Sequence, residues 1–257
     1  LLVSALMWPR GVAAQVRKTL TGSVHAATAY LVVAYDRLLL GQVATAQAGD
    51  ARAAAYRASA LSDETFDLAL AQQGPEKLHP NTWAAVANAA NQLRTSSELI
   101  VFLAEVDKSP VGCPAAADAM LACAHLVQAH LNSAVDRLVS TDYDSNGSLY
   151  TEPGFGESSD AALSRIGDPY VRLRDATIAC MAGWADRGTV GADAARGSGL
   201  DVGPDAPERV GEELGDAAIS LVWAEDWILH LGWVSHRAER LVDEQLAGGT
   251  PATTVAV

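Results

Sequence analysis

Apolar residues recur every three or four positions between residues 15 and 41, which is the spacing of a helix with one buried face. Gly41 follows the last of them and predicts the end of this helix. Residues 19–35 carry no charge, which leaves a membrane span open, but their Thr, Ser, Gly and His content favours a buried bundle helix. The apolar stripe consists of Val16, Leu20, Val24, Ala27, Leu31, Ala34 and Leu38.

Five further stretches are rich in helix-forming or periodically spaced apolar residues and predict five further helices. Gly74 and Pro75 end the second helix, because this pair cannot continue a helix. The last helix has the clearest beginning, with Asp205 as N-cap, Pro207 in the first turn and Glu208 completing a capping box. The six predicted helices cover about residues 15–41, 50–73, 80–109, 114–139, 168–187 and 205–246.

Two connections are much longer than the others. Residues 141–167 are dense in Asp, Ser, Gly and Pro, and residues 187–207 form a second flexible connection. Residues 248–257 carry no charge and no helix signal, so we expect a disordered tail. The predicted fold is all-α, an elongated antiparallel bundle of about six long helices with two long loops. We expect no strand, no internal repeat and no glycine-rich phosphate loop.

The composition is that of a globular protein, with 49% hydrophobic and 19% charged residues in a chain of 257. A chain of this size can bury a substantial core without disulfides or metals. The formal net charge is -13, and the chain has only 18 Lys and Arg residues with which to bind phosphates. This balance excludes nucleic acid as a partner.

The cysteines do not form a recognisable framework. Cys113, Cys123 and Cys180 contain no C-x-x-C pair and leave an odd thiol. Neither a zinc ribbon nor a set of disulfides follows from this spacing. We therefore expect a reducing compartment.

The beginning of the chain has the features of a helix that leaves a membrane. LLVSALMW is apolar but too short to cross a bilayer, which takes about 20 residues. Trp8, Pro9, Arg10, Arg17 and Lys18 come at its end or after it, and basic residues in that order favour the cytoplasmic side. The sequence predicts a transmembrane stub over 1–9 and a cytoplasmic helical domain over 10–247. The alternative is that LLVSALMW forms the first turns of a core helix.

One loop has part of the pattern of a calcium site. Asp142, Asp144 and Asn146 have the spacing of positions one, three and five of a calcium-binding loop. Position twelve should supply a bidentate glutamate, but it is Pro153. A turn rich in Asp and Asn is the competing interpretation, and we favour it.

The remaining candidate sites have simple interpretations. Residues 76–79 have the Glu-x-x-His spacing of di-iron bundles, but the motif occurs once and lies between two prolines. His125 and His130 are turned about 140° apart on a helix, so they cannot hold one metal. Asp226 and His230 share a helix face, where a local ion pair is favoured over a proton relay. The sequence therefore predicts no catalytic, cofactor-binding or metal-binding residue.

The segment ALMWPRG and the Ala-rich helix behind it resemble the membrane exit of fusaric acid resistance proteins, the FUSC family. The later segment NAANQLRTSSELI looks similar to actinobacterial members, and the likeness covers about the first 105 residues. The resemblance implies an inner-membrane protein with helical spans and cytoplasmic helical domains, associated with proton-driven export of aromatic acids or related toxic compounds. It defines no substrate residue in this chain.

Under this resemblance the domain has an assembly or regulatory role in efflux. Its partners are then the membrane spans of the same parent protein, a homo-oligomer stays open, and no cofactor is expected. Two other classes remain alternatives: a soluble helical module that regulates or binds a ligand, and an enzyme of the metal-bundle type.

Overall fold

The computed structural model describes residues 9–41, 43–72, 80–106, 113–140, 167–197 and 206–248. Within these residues every regular element is an α-helix, which confirms the predicted fold class. We number the helices in chain order as α1 (Pro9–Leu40), α2 (Thr45–Gln72), α3 (Pro80–Val106), α4 (Pro114–Ser140), α5 (Asp168–Gly197) and α6 (Ala206–Gly248).

Helix α1 ends where its sequence predicts. Gly41 has a φ of 62°, and its amide donates a hydrogen bond to the carbonyl of Arg37 at 3.2 Å. This left-handed backbone closes a helix and would strain a residue that has a side chain. The chain can therefore turn sharply, and α2 begins at Thr45.

Contacts between side chains fix the directions of the helices. His25 of α1 contacts Asp136 of α4, and Thr28 donates a hydrogen bond to Asn132. A step forward along α1 is thus a step backward along α4, so the two helices are antiparallel. Pairs of contacts give the same result for α2 with α3 and for α4 with α5.

Four helices form the centre of the bundle. Helix α1 packs against α3 and α4, and α6 packs against the same two helices from the other side. Helix α2 covers α1 and part of α3, while α5 covers α4 and α6. The centre is thus a four-helix bundle with one further helix on each of two sides.

The core fills the space between these helices, and every residue of the predicted α1 stripe is buried in it. Tyr35 of α1 reaches across the core to α6, where its hydroxyl donates a hydrogen bond to the carbonyl of Ala224 at 2.7 Å. The largest fully buried side chains are Tyr30, Tyr35, Tyr170, Leu31, Leu93, Ile100, Met120, Leu131, Leu173, Leu221, Ile228 and Leu231. None of the described helices is both long enough and apolar enough to cross a membrane.

Helix ends differ from the prediction mainly in α5. This helix continues to Gly197, ten residues beyond its predicted end, so the expected loop is wrong over 187–197. Three alanines near its end favour the helix and offset the glycines that suggested a loop. Helix α2 begins five residues early, and α6 takes in Gly248, the first residue of the expected tail. The loop 141–166 and the tail after Gly248 lie outside the described residues.

Candidate functional site

A group of interacting polar side chains lies between the first three helices. It consists of Tyr30 on α1, Arg52 and Tyr56 on α2, and Arg94 and Glu98 on α3, and we call it the tyrosine–arginine cluster. Arg52 Nε donates to Glu98 Oε1 at 2.8 Å. The guanidinium carbon of Arg94 lies 4.3 Å from the centre of the Tyr56 ring, within the range of a cation–π contact.

Local helix geometry brings the cluster together. Arg52 and Tyr56 are four residues apart on α2, and Arg94 and Glu98 are four apart on α3, so each pair lies on one helix face. The antiparallel packing of α2 on α3 then sets these faces against each other. The sequence shows both four-residue spacings, but nothing in it shows that the two pairs meet, so the cluster is not among the sites that the sequence predicts.

Electrostatics limit what the cluster can do chemically. Burial raises the pKa of the Tyr30 hydroxyl well above its ordinary value, and the nearby Glu98 carboxylate raises it further. Glu98 also raises the pKa of Arg52 through their hydrogen bond. Tyr30 therefore stays protonated and Arg52 stays charged at physiological pH. The arrangement packs side chains of three helices together, and the Tyr30 hydroxyl is not available as a deprotonated nucleophile.

A second polar network joins α4 to α6. Arg137 Nη2 lies 3.0 Å from Asp243 Oδ1 and 3.4 Å from Glu239 Oε1. His130 Nδ1 lies 3.7 Å from Glu239 Oε2. The network is partly exposed, so solvent weakens each pair. It links two helices of the centre and explains the structural role expected for His130; His125 is exposed on another side of α4.

The predicted ion pair on the last helix does not form. Asp226 and His230 are both exposed, and no ion pair joins them among the described contacts. His230 instead stacks on Trp233, with ring centres 6.2 Å apart. Glu225 beside them is half-buried, and burial raises the pKa of its carboxyl, while Thr177 and Arg174 oppose that shift by smaller amounts. The group does not form a relay.

The membrane-junction residues are only partly described. Pro9 and Arg10 begin α1, Arg17 is half-buried and Lys18 is exposed, while Trp8 lies outside the described residues. The calcium candidates Asp142, Asp144 and Asn146, and the Glu-x-x-His segment 76–79, also lie outside them. Across the part of the chain that is described, no group of three or more His, Cys, Asp or Glu side chains could hold a metal ion.

The structure pairs two of the three cysteines, which their spacing in the sequence does not predict. Cys113, just before α4, and Cys180, on α5, form a disulfide whose Cα atoms are 6.0 Å apart. The two residues are 67 positions apart in sequence, and only the antiparallel packing of α4 and α5 brings them together. Cys123 remains a buried free thiol, and burial raises its pKa to about 12.

Fold and site together define a helical-bundle protein whose clustered polar groups bridge neighbouring helices. No protein-family model, no curated protein and no solved structure matches the chain. The likeness to the FUSC family thus depends on the segments ALMWPRG and NAANQLRTSSELI and the Ala-rich helix between them.

Proposed function

We propose that this bundle is the cytoplasmic domain of an inner-membrane exporter of the fusaric acid resistance type. In this role it assembles or regulates the membrane spans of its parent during efflux of aromatic acids or toxic compounds. The start of α1 carries the proposal. The helix begins at Pro9, directly after an apolar stretch that ends in Trp8, and its first turns hold Arg10, Arg17 and Lys18. Proline suits a first helical turn, and basic residues suit the cytoplasmic side of a membrane exit.

The position of α1 in the bundle supports a mechanical role. Helix α1 packs against α2, α3 and α4, and Tyr35 also joins it to α6. A displacement of the end of α1 nearest the membrane would therefore be passed to most of the bundle. The tyrosine–arginine cluster fits the same role, because Arg52 of α2 bonds to Glu98 of α3 beside the buried Tyr30 of α1.

The full-length protein allows a test of the side of the membrane on which this domain lies. Lys18→Cys introduces a thiol at an exposed position near the start of α1. We expect a membrane-impermeant maleimide to label this variant in inverted vesicles and not in intact spheroplasts. The unsubstituted protein controls for labelling of the native cysteines. Labelling of the variant in intact spheroplasts, above that control, would show that the domain faces outward and would overturn the proposal.

A second candidate is a helical regulatory or ligand-binding module without a transport function. The Cys113–Cys180 disulfide favours it, because disulfides persist mainly in oxidising compartments. The two candidates predict different thiol states in cells whose thiols are trapped by acid and then alkylated. The cytoplasmic exporter domain should have both cysteines reduced, whereas a module in an oxidising compartment should have them paired.

A further inference from the structure

The six helices fall into two sets of three with the same arrangement. In the first unit, α1 and α3 run parallel and α2 packs on their outside; in the second unit, α4 and α6 run parallel and α5 packs on their outside. Parallel directions follow from two contacts in each unit: Tyr30 near Glu98 and Arg37 near Glu105 in the first, and His130 near Glu239 and Arg137 near Asp243 in the second. Helix α1 meets α4 and α3 meets α6, so a two-fold axis across the helices would exchange the units.

The first helices of the two units share sequence as well as position. Residues 125–138 of α4 lie 100 positions after residues 25–38 of α1, and seven of the fourteen aligned residues are identical. The identical pairs are His25 and His125, Ala29 and Ala129, Leu31 and Leu131, Ala34 and Ala134, Asp36 and Asp136, Arg37 and Arg137, and Leu38 and Leu138.

Burial follows the same alignment along the core face of both helices. Each of the α1 positions 16, 20, 24, 27, 31, 34, 35 and 38 is buried, and so is each position 100 residues later in α4. If the two helices were aligned one residue out of register, their buried positions would not coincide, because a shift of one residue rotates every side chain by about 100°. The two helices therefore present the same face to the core.

The third helices align with an offset of 138 residues. Core positions 82, 83, 86, 90, 93, 97 and 100 of α3 are buried, and so are their counterparts in α6. Leu93 and Leu231 are identical, as are Ser97 and Ser235. With the same offset Glu105 corresponds to Asp243, so the ion pairs of Arg37 and Arg137 are counterparts formed between the same two helices of each unit.

The outer helices add a fourth relation. Tyr56 of α2 lies against Arg94 of α3, and Tyr170 of α5 lies against Gly232 of α6. Gly232 is the counterpart of Arg94 under the same offset of 138. Each unit thus places a tyrosine of its outer helix on the same position of its third helix.

We infer that the bundle is an internal duplication of one three-helix unit. The two units pack face to face, with α1 and α3 of the first unit against α4 and α6 of the second. Alanine-rich helices share residues by chance, but chance does not put sequence, burial, ion pairs and outer tyrosines into one register. The expectation that the chain holds no internal repeat is therefore replaced.

The duplication distinguishes features that both units have from features that only one unit has. The arginine ion pairs and the buried faces are common to both units and belong to the way the units fold and join. Counterparts of Tyr30 and Glu98 are His130 and His236, so the tyrosine–arginine cluster belongs to the first unit alone. The Cys113–Cys180 disulfide is held wholly within the second unit.

A graft within the full-length chain tests the duplication. One variant carries residues 25–38 in place of residues 125–138, in the matched register. A second variant is the same but keeps Val127 and Val135, where the buried side chains of α1 and α4 differ in size. The control carries residues 23–36 at 125–138, which places His25 and Asp36 at the buried positions 127 and 138. Thermal unfolding followed by circular dichroism and size-exclusion chromatography compares the three.

We expect at least the second matched variant to remain a folded helical protein of unchanged size, with Tm lowered by no more than about 10 °C. The shifted control should be largely unfolded or aggregated, because a charged and a polar side chain enter the core. If both matched variants are as damaged as the shifted control, α1 and α4 are not interchangeable and the duplication is refuted. If the shifted control is as stable as the matched variants, stability does not depend on the alignment of α1 with α4, and the inference also fails.

Discussion

At the scale of single residues, Gly232 of α6 lies close against the ring of Tyr170 of α5. A Cβ atom added to Gly232 would lie 2.5 Å from Cε1 of the Tyr170 ring. Tyr170 is only 1% exposed, so its ring has little room to move aside. The glycine allows α5 to approach α6 closely, and the sequence alone marks it only as an unfavourable residue inside a helix.

Gly232→Ala should destabilise the protein although alanine is the better helix former. The clash with the Tyr170 ring should lower the free energy of unfolding by about 1–3 kcal/mol, as overpacking of a core does. Urea unfolding measures the change. Gly22→Ala is the matched control, because it lies in α1 with nothing within 4 Å of the added Cβ. That control should gain up to about 1 kcal/mol. Equal gains in both variants would show that the contact has no energetic weight.

Glu225 predicts a pH-dependent effect. Burial raises the pKa of its carboxyl in the fold above the ordinary value of 4.5, so ionisation costs more in the folded than in the unfolded state. The contribution of Glu225 to the unfolding free energy should therefore fall as pH rises from the ordinary to the raised pKa. Glu225→Gln removes this loss, and its stability relative to the native protein should increase over that interval. A difference that is constant between acidic and neutral pH would contradict the assignment.

At the scale of elements, the disulfide fixes α5 to the beginning of α4. Cys113 and Cys180 close a loop of 67 residues, which restricts the unfolded chain. Reduction, or the double substitution Cys113→Ser with Cys180→Ser, should lower the unfolding free energy by about 4 kcal/mol. Reductant should have no further effect on the double variant, which serves as the control. A reduced native protein that unfolds at the same denaturant concentration as the oxidised one would contradict this prediction.

Helices could be predicted from the sequence because their signals are local. The α1 stripe and Gly41 lie within a few turns of each other and sufficed to define that helix. The end of α5 was missed because its glycines suggested a loop where alanines continue the helix. Contacts between distant residues were out of reach: neither the partner of Arg52 nor that of Cys113 is marked by spacing along the chain.

The repeat is an intermediate case. Its signal is present in the sequence, since His, Ala, Leu, Ala and Asp-Arg-Leu recur with the same spacing in α1 and α4. Alanine and leucine are common in every helix of this chain, so that likeness carries weight only when the buried faces and the ion pairs are aligned as well. The packing of the helices supplied that alignment.

At the scale of the whole molecule, two like units face each other and α1 connects the bundle to the predicted membrane junction. The shared ion pairs and core faces account for the fold. The proposed role in an exporter depends on the junction at Pro9 and on the central position of α1. Under the proposed exporter role, the full-length protein is anchored in the membrane by the spans of its parent.

Membrane partition of the full-length protein tests that claim most directly. After cell breakage and high-speed centrifugation, we expect the protein in the membrane pellet, where it should resist an alkaline carbonate wash and be released by detergent. Recovery of the intact protein in the supernatant would contradict the exporter proposal and favour a helical module without a transport function.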